Sequence, residues 1–285
     1  MILIDYSAVV IATILGISRG DLKNYYEDDC DLFRHALFNK LRYYNKTYHR
    51  EYGKIVIAFD GDDNWRKNVF PLYKCKRKKE RADSKIDWKK LFAISDVIKE
   101  DLRTLFPYKV VHVNSCEADD VIGVLAKYVN EKTMIVSNDK DFRQLLDLHN
   151  VSMYSPLAEG FVTNSQPARD VLIEHIIRGD TDDSVPNILS PDDIFITDGK
   201  RQKPITVPYV NAFQQRLRAD ELTTIEKANW NRNRMLIDLN CIPKDIKLAI
   251  LEEYENYVVR GNRRTLMDYF INNRFKMLIP LIDEF

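Results

Sequence analysis

The chain has 285 residues, enough for one large α/β domain or two smaller ones with an ample core. Its 43 Lys plus Arg balance 43 Asp plus Glu, so the total charge gives no attraction to nucleic acid and such a partner requires segregated charge. Four scattered cysteines with no Cys-x-x-Cys pair exclude a disulfide scaffold and a thiolate zinc site, and they fit a reducing cytoplasm.

In chain order, the first expected element is a buried strand over residues 2–4, closed by Asp5. The apolar stretch 8–17 lacks a basic leader and is too short to span a bilayer, so it is expected to be a buried helix, and no membrane-crossing segment is expected. A helix over 32–52 leads to a second β-branched strand, 54–59, which ends at Asp60. The segment 62–87 breaks the alternation. Between Arg66 and Lys90 it carries eleven basic residues against three acidic ones, and Trp65, Phe70 and Tyr73 are interleaved with them. Basic residues among aromatics suit a stacking surface for a single strand, and the scarcity of apolar residues at core spacing predicts disorder in the absence of nucleic acid. A solvated surface loop is the plainer alternative.

Helix 88–106, strand 110–113 and helix 118–128 follow, with Glu117, Asp119 and Asp120 at the start of the last. A strand over 133–136 runs into Asp139 and Asp141, then a helical pattern over 142–148 and a strand over 151–154. Asp180 and Asp183 lie in GDTDDS, after which strand signals fade. Lys200, Arg201 and Lys203 form a small basic cluster within an irregular stretch, and helical patterns cover 210–217, 224–239, 244–257 and 265–275. The five histidines have no HExxH-like spacing and are expected to be structural or surface residues. The apolar run 277–285 is expected to pack as a last helix on the core; the alternative is a docking segment for a sliding clamp or single-strand-binding protein.

Strands alternating with helices predict an α/β fold, a mostly parallel central sheet with helices on both faces, carrying a basic insertion and a helical C-terminal region. The expected division is 1–180 for the α/β domain and 181–285 for a mainly helical, DNA-binding region. In open parallel sheets the ligand crevice lies beyond the carboxyl ends of the strands, where three of these Asp-bearing runs end. Any one Asp can be a helix cap, and Asp5 and Asp141 fit that role alone. Nine carboxylates converging there instead call for hard divalent cations with oxygen ligands, a setting suited to phosphodiester chemistry.

The segments LIDYS, FDG with NWRK, LYKCKR, EADD, SNDKDF and GDTDD, in this order and spacing, resemble the flap endonuclease family of 5′ nucleases over nearly the whole chain. The resemblance implies that Asp60, Glu117, Asp119 and Asp139 hold a first metal, with Asp5 orienting the attacking water. It implies that Asp141 and Asp183 hold a second metal, completed by Asp120 and Asp180. Lys74 and Arg77 are then expected to reach the scissile phosphate from an arch formed by 62–87, supported by Arg66 and Tyr73. Lys67, Lys76, Lys78, Lys79, Lys200, Arg201 and Lys203 are expected to contact the nucleic-acid backbone. Three departures from the family's pattern stand out: Lys140 replaces the glycine of SxDGDF, Ser184 stands where Asn is common, and the hairpin glycines are missing from VPNILSPDDIF.

Together these imply a metal-dependent 5′-3′ nuclease and flap endonuclease, with two Mg2+ ions or Mn2+ in their place. It is expected to act as a monomer on branched or nicked DNA and on RNA–DNA hybrid with a free 5′ end, in the cytoplasm of a host cell if phage-encoded, with no membrane partner. A PIN-type single-strand ribonuclease and a non-catalytic structure-specific DNA-binding protein are the alternatives.

Overall fold

The computed structural model describes residues 1–18, 30–84 and 86–285. Six strands form one sheet: β1 (Ile2–Asp5), β2 (Ile55–Phe59), β3 (Lys109–His112), β4 (Thr133–Val136), β5 (Val151–Ser155) and β6 (Gly160–Val162). Their order is β3-β2-β1-β4-β5-β6, parallel throughout except for β6. The chain first builds outward from β1 to β3, then returns to place β4 on the other side of β1. That reversal opens a crevice beyond the carboxyl ends of β1, β2 and β4.

Alternating side chains from these strands bury both faces of the sheet. Ile2, Ile4, Ile55, Ile57, Met134 and Val136 point to one face. They meet α1 (Tyr6–Ser18), α2 (Cys30–Tyr52), α5 (Trp88–Thr104) and α11 (Arg263–Asn272). Leu3, Val56, Ala58 and Ile135 point to the other, against α6 (Ala118–Tyr128) and α10 (Lys244–Asn256). The C-terminal region thus completes both cores.

A third cluster joins Phe70 and Tyr73 from the basic segment to Ile177, Phe213, Trp230 and Ile237. These come from α7 (Ala168–Arg178), α8 (Val207–Arg218) and α9 (Thr224–Ile237). The basic segment itself holds two short helices, α3 (Arg66–Val69) and α4 (Arg77–Asp83). This corrects the expectation that it has nothing to bury: Trp65, Phe70 and Tyr73 are all in the core. The last residues also pack. Leu278 and Ile282 are buried, and the Phe285 ring lies 5.2 Å from that of Phe270 and 5.9 Å from that of Phe106.

Close approach demands glycine at two positions beside the crevice. A Cβ on Gly61, just past β2, would lie 2.4 Å from the Val113 carbonyl oxygen. Gly179 has φ 69, and a Cβ there would come within 2.4 Å of the Val185 carbonyl oxygen. It lets α7 turn sharply so that Asp180 pairs with Val185 and the GDTDD turn faces the crevice.

Candidate active site

Asp5 closes β1, and its two oxygens accept hydrogen bonds from the Ala8 N–H at 3.0 Å and the Ser137 hydroxyl at 2.7 Å. Asp60 follows β2 and accepts from the Ser7 hydroxyl at 2.6 Å and the Ala118 N–H at 3.0 Å. Asp139 follows β4, and its side chain accepts from the Asp141 N–H at 2.8 Å, capping the 3-10 turn Lys140–Leu145. Asp5 and Asp139 therefore do serve as caps, while Asp141 does not.

At the start of α6, Glu117 and Asp120 meet a cation from the basic segment. The Arg66 guanidinium donates to both oxygens of Asp120, at 2.8 and 2.9 Å, to Glu117 at 3.3 Å and to the Leu236 carbonyl at 2.8 Å. Asp120 also accepts from the Trp65 indole N–H at 3.1 Å. Arg66 is 3% exposed and Asp120 fully buried, which corrects two expectations. Arg66 and Tyr73 face the interior instead of a strand, and both oxygens of Asp120 are already taken.

Lys74 and Arg77 do lie beside the carboxylates. Lys74 pairs with Glu117 and lies 3.5 Å from Asp183, and Arg77 donates to Asp183 at 2.8 Å. The Tyr73 hydroxyl bonds both Glu117, at 3.0 Å, and Asp183, at 2.7 Å. The Lys74 N–H donates to the Asp183 carbonyl at 2.7 Å, and Lys74 adopts φ 58, a left-handed backbone that side chains avoid. Asp183 precedes Ser184, which also has φ 58.

On the opposite side, His175 sits between two carboxylates: Nδ1 lies 3.0 Å from Asp141 and Nε2 3.0 Å from Asp180. The Lys140 ammonium is 3.1 Å from the same Asp180 oxygen. Ligand atoms of Asp141, His175 and Asp180 all lie within 4.8 Å of one another. His175, expected as a structural or surface residue, is thus a member of the site. The sequence signal for it was its place one helical turn before Gly179 in a helix that composition alone left unassigned.

The electrostatics divide the cluster. Burial pushes Asp5 up to about 6, with Asp60 adding to the effect, and Asp139 up to about 7, with Asp141 adding. Burial and the neighbours Asp139 and Glu117 hold Asp119 well above the usual range. Burial acts on Glu117 in the same sense, but Lys74 and Arg66 outweigh it and bring the carboxyl down to about 2. Asp180 is likewise lowered, its burial outweighed by His175 and Lys140. Burial also opposes the charge on His175, yet its two carboxylate partners raise it to about 9.

When all nine carboxylates are ionised, Arg66, Lys74, Arg77, Lys140 and a doubly protonated His175 leave four negative charges uncompensated. The uncompensated oxygens are those of Asp5, Asp60, Asp119 and Asp139, and a set of carboxylate oxygens suits hard divalent cations.

Beside the carboxylates opens a cavity of about 910 Å³, whose lining includes Asp60, Lys74, Arg77 and Glu117. Lys67, Lys78, Arg81, Lys99, Trp88 and Phe92 line it as well, with Asp62 and Glu80 the further acids. Arg81 lies over the rings of Trp88, at 5.4 Å, and Phe92, at 5.0 Å. Arg81, Lys99, Trp88 and Phe92 were not anticipated; the aromatic pair four residues apart on α5 was the available signal. Of the other expected strand contacts, Lys76 lies over the Phe195 ring, and Lys79 is exposed. Lys200, Arg201 and Lys203 do not line the cavity, and Lys200 is 3.6 Å from Asp193.

Comparison with known proteins places this geometry in context. Residues 10–172 match the family described as 5′-3′ exonuclease, N-terminal resolvase-like domain, and residues 166–285 match the C-terminal domain of T4 RNase H. The chain is 29% identical to the ribonuclease H of Enterobacteria phage T4, over 99% of its own length and 95% of that protein. It is 28% identical to the flap endonuclease Xni of Shewanella sediminis, over 47% of this chain and 53% of that one. Among solved structures, the bacteriophage T5 D15 flap endonuclease in a pseudo-enzyme–product complex aligns with TM-score 0.56 at 16% identity. The alignment covers 90% of this chain and 99% of that one. The T5 5′-exonuclease with bound zinc aligns with TM-score 0.57 at 15% identity, over 90% and 98% of the two chains. These structural likenesses bear on the fold.

Proposed function

Because the chain belongs to the 5′-3′ exonuclease family and is a nuclease, we propose that it is a metal-dependent flap endonuclease and 5′-3′ exonuclease. In this reading it removes RNA primers, and the short DNA behind them, during lagging-strand synthesis. The observation that supports this reading best is the set of uncompensated carboxylates at the carboxyl ends of β1, β2 and β4, of which Asp60 lines the neighbouring basic cavity.

Asp60, Glu117, Asp119 and Asp139 would hold a first divalent cation, and Asp141 and Asp183 a second. Bound there, Mg2+ or Mn2+ supplies a nucleophilic water at neutral pH and offsets charge on the phosphate and the leaving 3′ oxygen. The protein's own groups then do the rest. Asp5, fixed by Ser137 and Ala8, orients the attacking water. Lys74 and Arg77 pair with Glu117 and Asp183 at the cavity wall, from where their charges would face the scissile phosphate. The remaining cations of the cavity draw in a 5′ single strand, and Trp88 and Phe92 offer faces for its bases. The product would carry a 5′-phosphate.

The natural substrates in this reading are branched or nicked DNA and RNA–DNA hybrid with a free 5′ end, met by a monomer in the host cytoplasm. Among the described residues, no helix is long and apolar enough to cross a membrane. The test incubates the protein with 5′-labelled flap and nicked hybrid substrates, with and without Mg2+. Short 5′-phosphorylated products only with Mg2+ are expected. Binding without cleavage under both conditions would overturn the reading.

A further inference from the structure

Asp139 and Asp141 enter the site on the short segment that joins β4 to the 3-10 turn, where the chain has left the sheet. On its β5 side the Ser137 N–H still donates to the Tyr154 carbonyl at 3.1 Å. Beyond that point side chains hold the segment. The buried Ser137 hydroxyl donates to Asp5 at 2.7 Å and accepts from the Asp139 N–H at 3.0 Å, which ties the segment to β1. On the other side, Asn138 Oδ1 accepts from the Ser155 hydroxyl at 2.9 Å and from the Leu157 N–H at 3.1 Å. A backbone N–H can only donate, so the Asn138 side chain must present its oxygen there. We infer that Asn138 is a positioning residue for the metal site: through Ser155 and Leu157 it anchors the Asp139 carboxylate to the turn between β5 and β6. This rests on the proposed metal-dependent reaction and extends it to a residue outside the carboxylate cluster.

The amide in effect adds one more rung between the segment and the end of β5. The turn it grips is itself fixed. The Ser155 hydroxyl is 9% exposed and also accepts from the Ala158 N–H at 3.0 Å, so one hydroxyl both closes the turn and holds the amide. Ser155 pairs with Gly160 across the β5–β6 ladder. Asn138 and Asp139 are joined by one peptide bond, so a shift of the amide moves the carboxylate directly. The Asp139 carboxylate in turn accepts from the Asp141 N–H at 2.8 Å, which passes the shift to the next carboxylate. An amide carries no net charge, so it fixes the segment without competing with cations for the carboxylates. Removing a group that orients metal ligands from outside typically costs about 10–100-fold in metal affinity or activity.

The experiment titrates the full-length chain, free of nucleic acid, with Mn2+ and follows binding by the loss of the free-ion electron paramagnetic resonance signal. Circular dichroism reports the fold. Asn138→Ala should bind Mn2+ about tenfold more weakly than the natural chain. Its turnover on a 5′ flap should fall about tenfold or more, with KM within about twofold, because carboxylates are displaced and substrate contacts are not. Ser155→Ala breaks the same anchor from the other side but leaves the Leu157 bond in place, and should weaken Mn2+ binding by a smaller factor. The double variant should bind no more weakly than Asn138→Ala alone, since both changes cut one connection.

Natural Mn2+ affinity in Asn138→Ala would overturn the inference. So would a raised KM with unchanged Mn2+ binding, which would make Asn138 a substrate contact. Losses that multiply in the double variant would overturn it as well, because the two residues would then act separately. If Asn138→Ala does not fold, Ser155→Ala decides alone, and unchanged Mn2+ binding there overturns the inference. Failure of the natural chain to bind Mn2+ would instead overturn the metal-site reading itself.

Discussion

Arg66 shows how a single residue can be misplaced by its neighbours in sequence. It lies in a run of cations, which suggests a phosphate contact, yet it spends its guanidinium on Asp120, Glu117 and the Leu236 carbonyl in the interior. Removing one partner of a buried ion pair leaves the other uncompensated, which typically costs about 3–5 kcal/mol. Arg66→Met should therefore lower stability by roughly that amount in urea unfolding, whereas a strand-contacting arginine would leave the midpoint unchanged. Asp139 stands at the opposite extreme, with a carboxylate facing other carboxylates. Asp139→Asn should abolish cleavage while keeping DNA affinity within about tenfold, because phosphate contacts elsewhere carry most of the binding. Near-normal turnover in single-turnover assays would remove Asp139 from the metal site.

Among the elements, those buried on both faces were legible from sequence. Residues 133–136 and 118–128 were expected where β4 and α6 lie, because apolar runs and a first turn rich in carboxylates mark them locally. β6 was missed: three residues at a sheet edge, held by the register of Tyr154 with Phe161, carry no pattern of their own. The burial of Trp65, Phe70 and Tyr73 could not be read either. Their irregular spacing gives no period, and the partners of Phe70 and Tyr73, such as Ile177 and Trp230, lie more than a hundred residues away. Most of the carboxylates were found because strand ends are visible locally; His175 was missed because its two partners come from separate segments. The terminal segment resolves in favour of packing. Ile282 and the Phe285 ring lie in the aromatic core, and Glu284 pairs with Arg42 and Lys46. Deleting residues 281–285 should lower stability by about 3 kcal/mol or more, read as a fall in melting temperature. An unchanged melting temperature would restore the docking alternative.

Across the whole molecule, balanced charge hides a strained arrangement, with carboxylates concentrated at one end of the sheet. Asp5 at about 6, Asp139 at about 7 and the raised Asp119 bind more protons folded than unfolded, so their effect favours folding at low pH and is lost as pH rises to about 7. His175, raised to about 9, adds stability below its unfolded value that fades between there and about pH 9. Glu117, brought down to about 2, keeps its contribution until far lower pH. In EDTA the protein should therefore melt at higher temperature at pH 5.5 than at pH 8. Millimolar Mg2+ should raise the pH 8 value and narrow the gap, as expected for a ligand of the folded state. A melting temperature that rises from pH 5.5 to pH 8 in EDTA would contradict this account.

The left-handed backbone at Lys74 has an evolutionary consequence. Glycine adopts φ 58 freely, whereas a side chain there costs about 1 kcal/mol or more. Lys74→Gly should then be more stable than Lys74→Ala by about that amount, while both lose roughly a hundredfold or more in turnover. Among residues that lack a positive charge, glycine would thus be the easier resident at position 74. The lysine itself also compensates the buried Glu117, so stability and catalysis both select for it, and a lineage relieved of its nuclease duty should still lose this residue late.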